Sequence, residues 1–121
     1  METVSSETVK TWLDNGDEYL MIDARAPSAY AGDHIPTAES CQVNKEKSIE
    51  AAMIDKSVKW LGKCTPIQGL DKNHKIVVYC NSASCWQSPK AALGLAKMGF
   101  ANVKWLRVGI NAWKKSGFPI E

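Results

Sequence analysis

The 121-residue sequence predicts an α/β fold, a mostly parallel sheet covered by helices on both faces. Short apolar, β-branched runs alternate along the chain with segments of helical periodicity, the order of elements that builds parallel sheets. The runs are also continuously apolar, as in Tyr19-Leu20-Met21-Ile22 and Ile76-Val77-Val78-Tyr79, so both of their faces are expected to be buried. No linker, repeat or low-complexity segment interrupts the pattern, and residues 1–121 read as a single domain.

Ser5 or Ser6 can cap a first helix over Glu7 to Leu13, with Val9, Trp12 and Leu13 at helical spacing. Asp14-Asn15-Gly16-Asp17 ends it as a turn. Tyr19 to Ala24 is a buried strand, Pro27 to Ala31 a short helical turn, and Glu39 to Val43 a short strand. Lys45 to Leu61 reads as an amphipathic helix with a stripe of Ile49, Ala52, Met53, Lys56 and Trp60. A loop over Gly62 to Asn73 leads to the strand Lys75 to Tyr79. Ser88 is a natural N-cap and Pro89 a natural first residue for a helix through Ala91, Ala92, Leu95 and Met98, stopped at Gly99. Asn102 to Leu106 is a further strand, and a last helix holds Ala112 and Trp113.

Composition narrows the function classes. A chain of this length buries roughly two-thirds of its unfolded surface and needs no staples. A formal charge of +2, with Lys and Arg scattered, gives no nucleic-acid face. No apolar run approaches the ~20 residues of a membrane span. The first residues lack the basic and apolar regions of a signal peptide, so the expected compartment is cytoplasmic, or periplasmic where an export signal has been removed. The four cysteines, Cys41, Cys64, Cys80 and Cys85, form no CxxC pair, and the histidines lie at unrelated positions. Neither a metal site nor a structural disulfide framework is predicted, and Cys41 and Cys64 read as core or loop residues.

Cys80 stands apart because of its neighbours. It follows a buried strand and precedes the small polar run Asn81-Ser82-Ala83-Ser84-Cys85-Trp86-Gln87 and the helix opened by Ser88-Pro89. Ligands in such folds bind beyond the carboxyl ends of the strands, where helix N-termini favour anions. A free cysteine has a pKa near ~8.5, and lowering it by two units needs ~2.7 kcal/mol of preferential stabilisation of the thiolate. A helix N-terminus supplies at best about 2 kcal/mol. The remainder is expected from the amides of residues 81–87 curled around the sulfur as a nest, although the loop holds no glycine to take a positive φ.

Several segments then carry a family resemblance, in order along nearly the whole chain. Leu20-Met21-Ile22-Asp23-Ala24-Arg25, Tyr30-Ala31-Gly32-Asp33-His34-Ile35-Pro36-Thr37-Ala38 and Ile76-Val77-Val78-Tyr79-Cys80 resemble motifs of the rhodanese-like sulfurtransferase domain. So do Gly99-Phe100-Ala101-Asn102-Val103, Leu106-Arg107-Val108-Gly109-Ile110-Asn111-Ala112-Trp113 and Gly117-Phe118-Pro119. The resemblance implies a five-stranded parallel sheet flanked by helices on both faces. It also implies ping-pong chemistry, in which Cys80 takes sulfane sulfur from a small-molecule donor as a persulfide and passes it to a thiol, another nucleophile or a sulfur-accepting protein. No metal or organic cofactor is implied.

The departures bear on substrate. The family loop CxxGxRS is replaced by the longer Cys80-x4-Cys85-x2-Ser88, as in a subset of rhodanese domains with an extended loop and a second cysteine, and the loop Arg that would hold a dianion is missing. Thiosulfate is therefore expected to be a poor donor, and the phosphatase relatives on this fold are disfavoured. Asp33 and Thr37 replace two family glycines, and Val108 replaces another. Residues Asn81 to Gln87 are the candidate substrate-binding loop, with Cys85 as candidate resolving thiol and Trp86 as candidate entrance residue. Asp23, Arg25 and Ser88 are candidate supporting residues. His34 reads as architectural, and Trp12, Trp60, Trp105 and Trp113 as packing. Two alternatives stay open: a thiol–disulfide or persulfide reductase using Cys80 with Cys85, and a non-catalytic sulfur-carrying or regulatory module.

Overall fold

The computed structural model describes residues 2–121. Its elements are β1 (Glu2–Thr3), α1 (Ser6–Asn15), β2 (Leu20–Asp23), α2 (Pro27–Gly32), β3 (Glu39–Ser40), α3 (Ala51–Gly62), β4 (Ile76–Tyr79), α4 (Gln87–Lys97), β5 (Val103–Trp105) and α5 (Gly109–Lys115), with a 3-10 turn at Thr65–Ile67. The strands form one five-stranded parallel sheet in the order β1-β5-β4-β2-β3. β4 lies at its centre, and all four of its residues are buried. Among the described residues no helix is long and apolar enough to cross a membrane.

The period-two geometry of the strands sorts their side chains between two apolar layers. Ile22, Ile76, Val78 and Val103 face α3 and α4, packing with Leu61, Ala91, Ala92 and Leu95. Met21, Val77 and Tyr79 face the other way, against Val9 of α1 and Ile110 and Trp113 of α5. Ser5 caps α1 by accepting from Thr8 N–H at 3.1 Å, and Gly16 closes it at φ 70°. The C-terminus is tied back by paired backbone bonds between His34 and Glu121 of 2.9 and 2.8 Å. The His34 ring stacks on Tyr30 with centroids 3.9 Å apart, in keeping with its architectural reading.

Three expectations are corrected. The strand at Glu2–Thr3 carries no apolar run and is visible only through its pairing with β5. The helix expected from Lys45 begins at Ala51, and its buried face is Ile54, Ser57 and Leu61, leaving Ile49 and Trp60 50% and 40% exposed. A buried serine hid that face: the Ser57 hydroxyl is satisfied by Asn44 Oδ1 at 2.5 Å and Met53 O at 3.2 Å, so a polar residue serves a core position. Cys41 and Cys64, read as unpaired, are joined by a disulfide with Cα atoms 5.7 Å apart. It fastens the chain leaving edge strand β3 to the end of α3, a proximity that spacing in the sequence does not reveal.

Candidate active site

β4 delivers Cys80 to the carboxyl edge of the sheet, and the chain then loops over to α4. The start of this loop is held from below by α5: Ile110 N–H donates to Cys80 O and Asn111 N–H to Asn81 O, each at 3.0 Å. Gly109 makes that approach possible. Its φ is 73°, and a Cβ there would lie 2.5 Å from the Asn81 carbonyl carbon and 2.6 Å from Cys80 O. A side chain would lift α5 off the loop.

Cys80 is 0% exposed and is joined to half-buried Cys85 by a disulfide, with Cα atoms 6.5 Å apart. Ser88 supplies two polar contacts to Cys80 Sγ, its hydroxyl at 3.1 Å and its N–H at 3.4 Å. Trp105 Nε1–H donates to Ser88 Oγ at 2.9 Å, so the hydroxyl proton is free to point at the sulfur. Ser88 is therefore not the N-cap that its sequence position suggests. α4 starts one residue earlier, at Gln87, without a side-chain cap, and the Ser88 side chain is turned to Cys80. Trp105 was expected only to pack; its indole N–H is a working donor that no local sequence pattern marks.

The expected ring of amides is not formed in this disulfide-linked loop. Of the amides of residues 81–88, only that of Ser88 bonds to Sγ, and Cys85 N–H closes a turn on Ser82 O at 3.1 Å. The backbone explains this. A nest needs a left-handed position, and among the described residues the only non-glycine with positive φ is Thr37.

The loop is walled by the segment between Cys41 and α3. Gln87 Nε2 donates to Val43 O at 3.0 Å, and the buried Lys90 Nζ donates to Glu46 O. Burial pushes the Lys90 ammonium pKa down, opposed by the Glu46 carboxylate. Glu46 itself is held at about 2, chiefly by a hydrogen bond from Lys56. Lys45 and Lys47 project from this wall into a cavity of about 330 Å³ shared with Asn81, Ser82, Ser84, Cys85, Trp86 and Gln87. On the other side of Cys85 and Trp86 lies a groove of about 530 Å³ walled by Ile49, Pro89, Trp105 and Arg107, with Ala83 and Ser84 at its rim. The expected loop residues thus all line one cavity or the other.

Asp23 and Arg25 are not part of this arrangement. They form a buried ion pair, Arg25 Nη2 to Asp23 Oδ2 at 2.7 Å, extended by Tyr79 Oη–H at 2.9 Å and by Arg25 Nη2 to Asp33 O at 2.6 Å. Burial beside Asp23 pushes the Tyr79 phenol well above its ordinary value. Tyr79 faces the α1 and α5 layer. The pair therefore braces the ends of β2 and β4 on the face away from Ser88, and makes no hydrogen bond to residues 81–88.

Similar proteins carry the same architecture. The chain is 27% identical over 117 residues to a protein of Allochromatium vinosum named sulfurtransferase, covering 97% of this chain and 92% of that one. It is also 27% identical to a probable adenylyltransferase/sulfurtransferase, MoeZ, of Mycobacterium tuberculosis, of which it spans about a quarter (26%, against 97% of this chain). Among solved structures, the BH2092 protein of Bacillus halodurans superposes with a TM-score of 0.77 at 27% identity, over 99% of this chain and 76% of that one. The rhodanese-like domain of the Anabaena Alr3790 protein does so with a TM-score of 0.75 at 25% identity, over 100% and 79%. The family model described as rhodanese-like domain matches residues 5–116, from the cap of α1 to the end of α5, and so takes in the Cys80 loop and both helices that hold it. With a fold and nearly a full length in common, this chain belongs to the rhodanese-like domain family.

Proposed function

We propose that this protein is a sulfurtransferase that carries sulfur on Cys80. One observation supports this most: Cys80 Sγ stands at the carboxyl end of the central strand and receives both the hydroxyl and the amide of Ser88, donors suited to a sulfur anion. Once the loop is reduced by a thiol or dithiol, the Cys80 thiolate attacks the outer sulfur of a donor R–S–SH. A bond forms between Sγ and that sulfur, the donor S–S bond breaks, and its electron pair leaves on R–S⁻. The resulting Cys80–S–SH then gives its outer sulfur to an acceptor thiolate, and Cys80 leaves as thiolate. With no Arg in the loop, thiosulfate serves poorly as the donor.

The Cys80–Cys85 disulfide favours a second reading, a persulfide reductase. Here Cys85 thiolate attacks Cys80 Sγ of the persulfide and expels HS⁻, leaving the disulfide. An external thiol then reopens it at the more accessible Cys85 sulfur, forming a mixed disulfide there with Cys80 as the leaving thiolate, and a second thiol frees Cys85 and carries off the symmetrical disulfide.

Mass spectrometry of the reduced protein after incubation with an organic hydropersulfide separates the two. A one-sulfur gain that persists in wild type as well as in Cys85→Ser, and is absent in Cys80→Ser, supports sulfur transfer. In wild type, a loss of two hydrogens that requires both cysteines, with release of sulfide, supports the reductase. No sulfur gain in wild type and none in Cys85→Ser overturns the first reading.

A further inference from the structure

Deepening the sulfurtransferase reading and resting on it, we propose that Lys45 and Lys47 are the anion-recognition residues of the donor site, and that the donor is a carboxylate-bearing organic hydropersulfide whose body lies against Trp86 and Trp105. The missing cation of the loop is thereby supplied from another part of the chain.

The two lysines are presented by a fixed support. Between them, Glu46 is turned away from the cavity, its carboxylate engaged by Lys56 and its carbonyl by the buried Lys90. Gln87 pins Val43 and the Cys41–Cys64 disulfide pins the start of the segment. Among the described residues neither Lys45 nor Lys47 makes an ion pair. Both ammonium groups are therefore free, on a cavity whose opposite wall is the polar loop Asn81, Ser82 and Gln87. No carboxylate lines that cavity, so its charge is wholly positive.

The dimensions argue for an organic donor. The lysine cavity of about 330 Å³ and the aromatic groove of about 530 Å³ share Ser84, Cys85 and Trp86, so that one ligand can lie across Cys85, the residue bonded to the buried Cys80, and occupy both. Each is of the size that holds small organic molecules, and an inorganic anion of a few atoms would leave most of that space to water. Trp86 is 40% exposed where the two cavities meet, and its ring offers an apolar face to a ligand's stem. A ligand with carboxylates at one end and an apolar stem near its sulfur satisfies both walls.

The test compares glutathione hydropersulfide with the hydropersulfide of glutathione diethyl ester and with thiosulfate, using reduced wild type and Lys45→Gln/Lys47→Gln. For the acid, kcat/KM is expected to fall roughly tenfold in the double variant, through KM, and high salt should do the same to wild type. The ester, which offers the lysines no carboxylate, should be used equally well by both proteins. Equal losses for acid and ester, or none for either, would overturn the lysine assignment. Saturation of wild type by thiosulfate at a lower concentration than by the organic acid would overturn the donor class. Binding of the inert thioether S-methylglutathione to Cys80→Ser, measured by calorimetry with and without the lysines, reads the anion site apart from the chemistry. If it weakens without the lysines while no donor loads Cys80, the sulfurtransferase reading fails and the anion site stands. If Cys80 loads while binding ignores the lysines, the reverse holds.

Discussion

Trp105 holds Ser88 for Cys80: the indole N–H donates to Ser88 Oγ at 2.9 Å, and that hydroxyl lies 3.1 Å from Sγ. A serine hydroxyl has one proton, and a fixed donor on its oxygen decides where that proton goes. With the indole occupying the oxygen, the proton is left to the sulfur. The β5 side chain thus acts on the site through α4.

This relay sets the first prediction. In reduced protein carrying Cys85→Ser, alkylation of Cys80 by iodoacetamide at neutral pH should slow roughly tenfold in Ser88→Ala, because a hydrogen bond to a charged group is lost. Trp105→Phe should slow it less, since the hydroxyl remains but is free to rotate. Ser88→Thr should restore most of the rate. Equal rates across the series would show that Ser88 only packs against the sulfur.

Gly109→Ala is expected to destabilise the fold by about 2–4 kcal/mol, combining a positive φ with overpacking against backbone. The Cβ meets the Asn81 and Cys80 carbonyls, which cannot rotate away as a side chain could. Urea denaturation measures the loss. A Gly62→Ala control, at a glycine with open space around it, should cost little or nothing.

The strand–helix alternation was legible because apolar runs and caps are local signals, and the Cys80 loop was legible because it follows the most continuously apolar strand. The long-range partners were not. The start of α3 differs from the expected one because Ile49 and Trp60 fall at stripe spacing while the buried Ser57 does not read as core, its hydroxyl satisfied by Asn44 from outside the helix. Lys90 illustrates the same limit. A lysine in a helix reads as solvent-facing, yet this one is fully buried because Glu46 O lies within reach of its ammonium. The Cys41–Cys64 pair, the Trp105–Ser88 bond and the lysine wall likewise join residues far apart in the chain.

The Cys41–Cys64 disulfide closes a loop with a sequence separation of 23, for which chain entropy gives a stabilisation of ~3 kcal/mol. Cys41→Ala/Cys64→Ala should lose about that much by denaturation, and dithiothreitol should lower the stability of wild type by more than that of the double variant, which keeps only the Cys80–Cys85 bond. Peptide mapping without reductant that finds both thiols free would remove the basis for this expectation.

Thr37 has φ 74°, in the left-handed region that favours glycine. A β-branched residue in the left-handed region is strained by roughly 1–2 kcal/mol. Its side chain is exposed; its backbone N–H donates to Glu121 Oε1 at 3.3 Å, which a glycine keeps, while its side chain lies by the Tyr19 hydroxyl, a contact that a glycine loses. Thr37→Gly should therefore raise stability by no more than about 1 kcal/mol, part of the relief being offset by the freer unfolded chain and by the lost Tyr19 contact. A lower melting temperature in the variant would contradict this.

Glu46 gives the pH dependence. Its folded-state pKa of about 2, against an ordinary 4.5, comes first from the Lys56 hydrogen bond and then from backbone and Asn44 hydrogen bonds. A depressed carboxylate contributes stability that is fully present above the unfolded-state value and is lost as pH falls through the folded one. Below pH 4.5 the unfolded chain takes up a proton at this position that the folded chain refuses, so the advantage of wild type over Glu46→Gln should shrink steadily towards pH 2. The half-exposed Lys56 is screened by solvent, so the difference at neutral pH is small and its pH slope is the informative quantity. Denaturant midpoints of both proteins, taken from pH 6 down to pH 2, should converge. Midpoints that stay parallel over this range would mean that Glu46 titrates normally, and that the wall bearing Lys45 and Lys47 is held by Lys90, Gln87 and the disulfide alone.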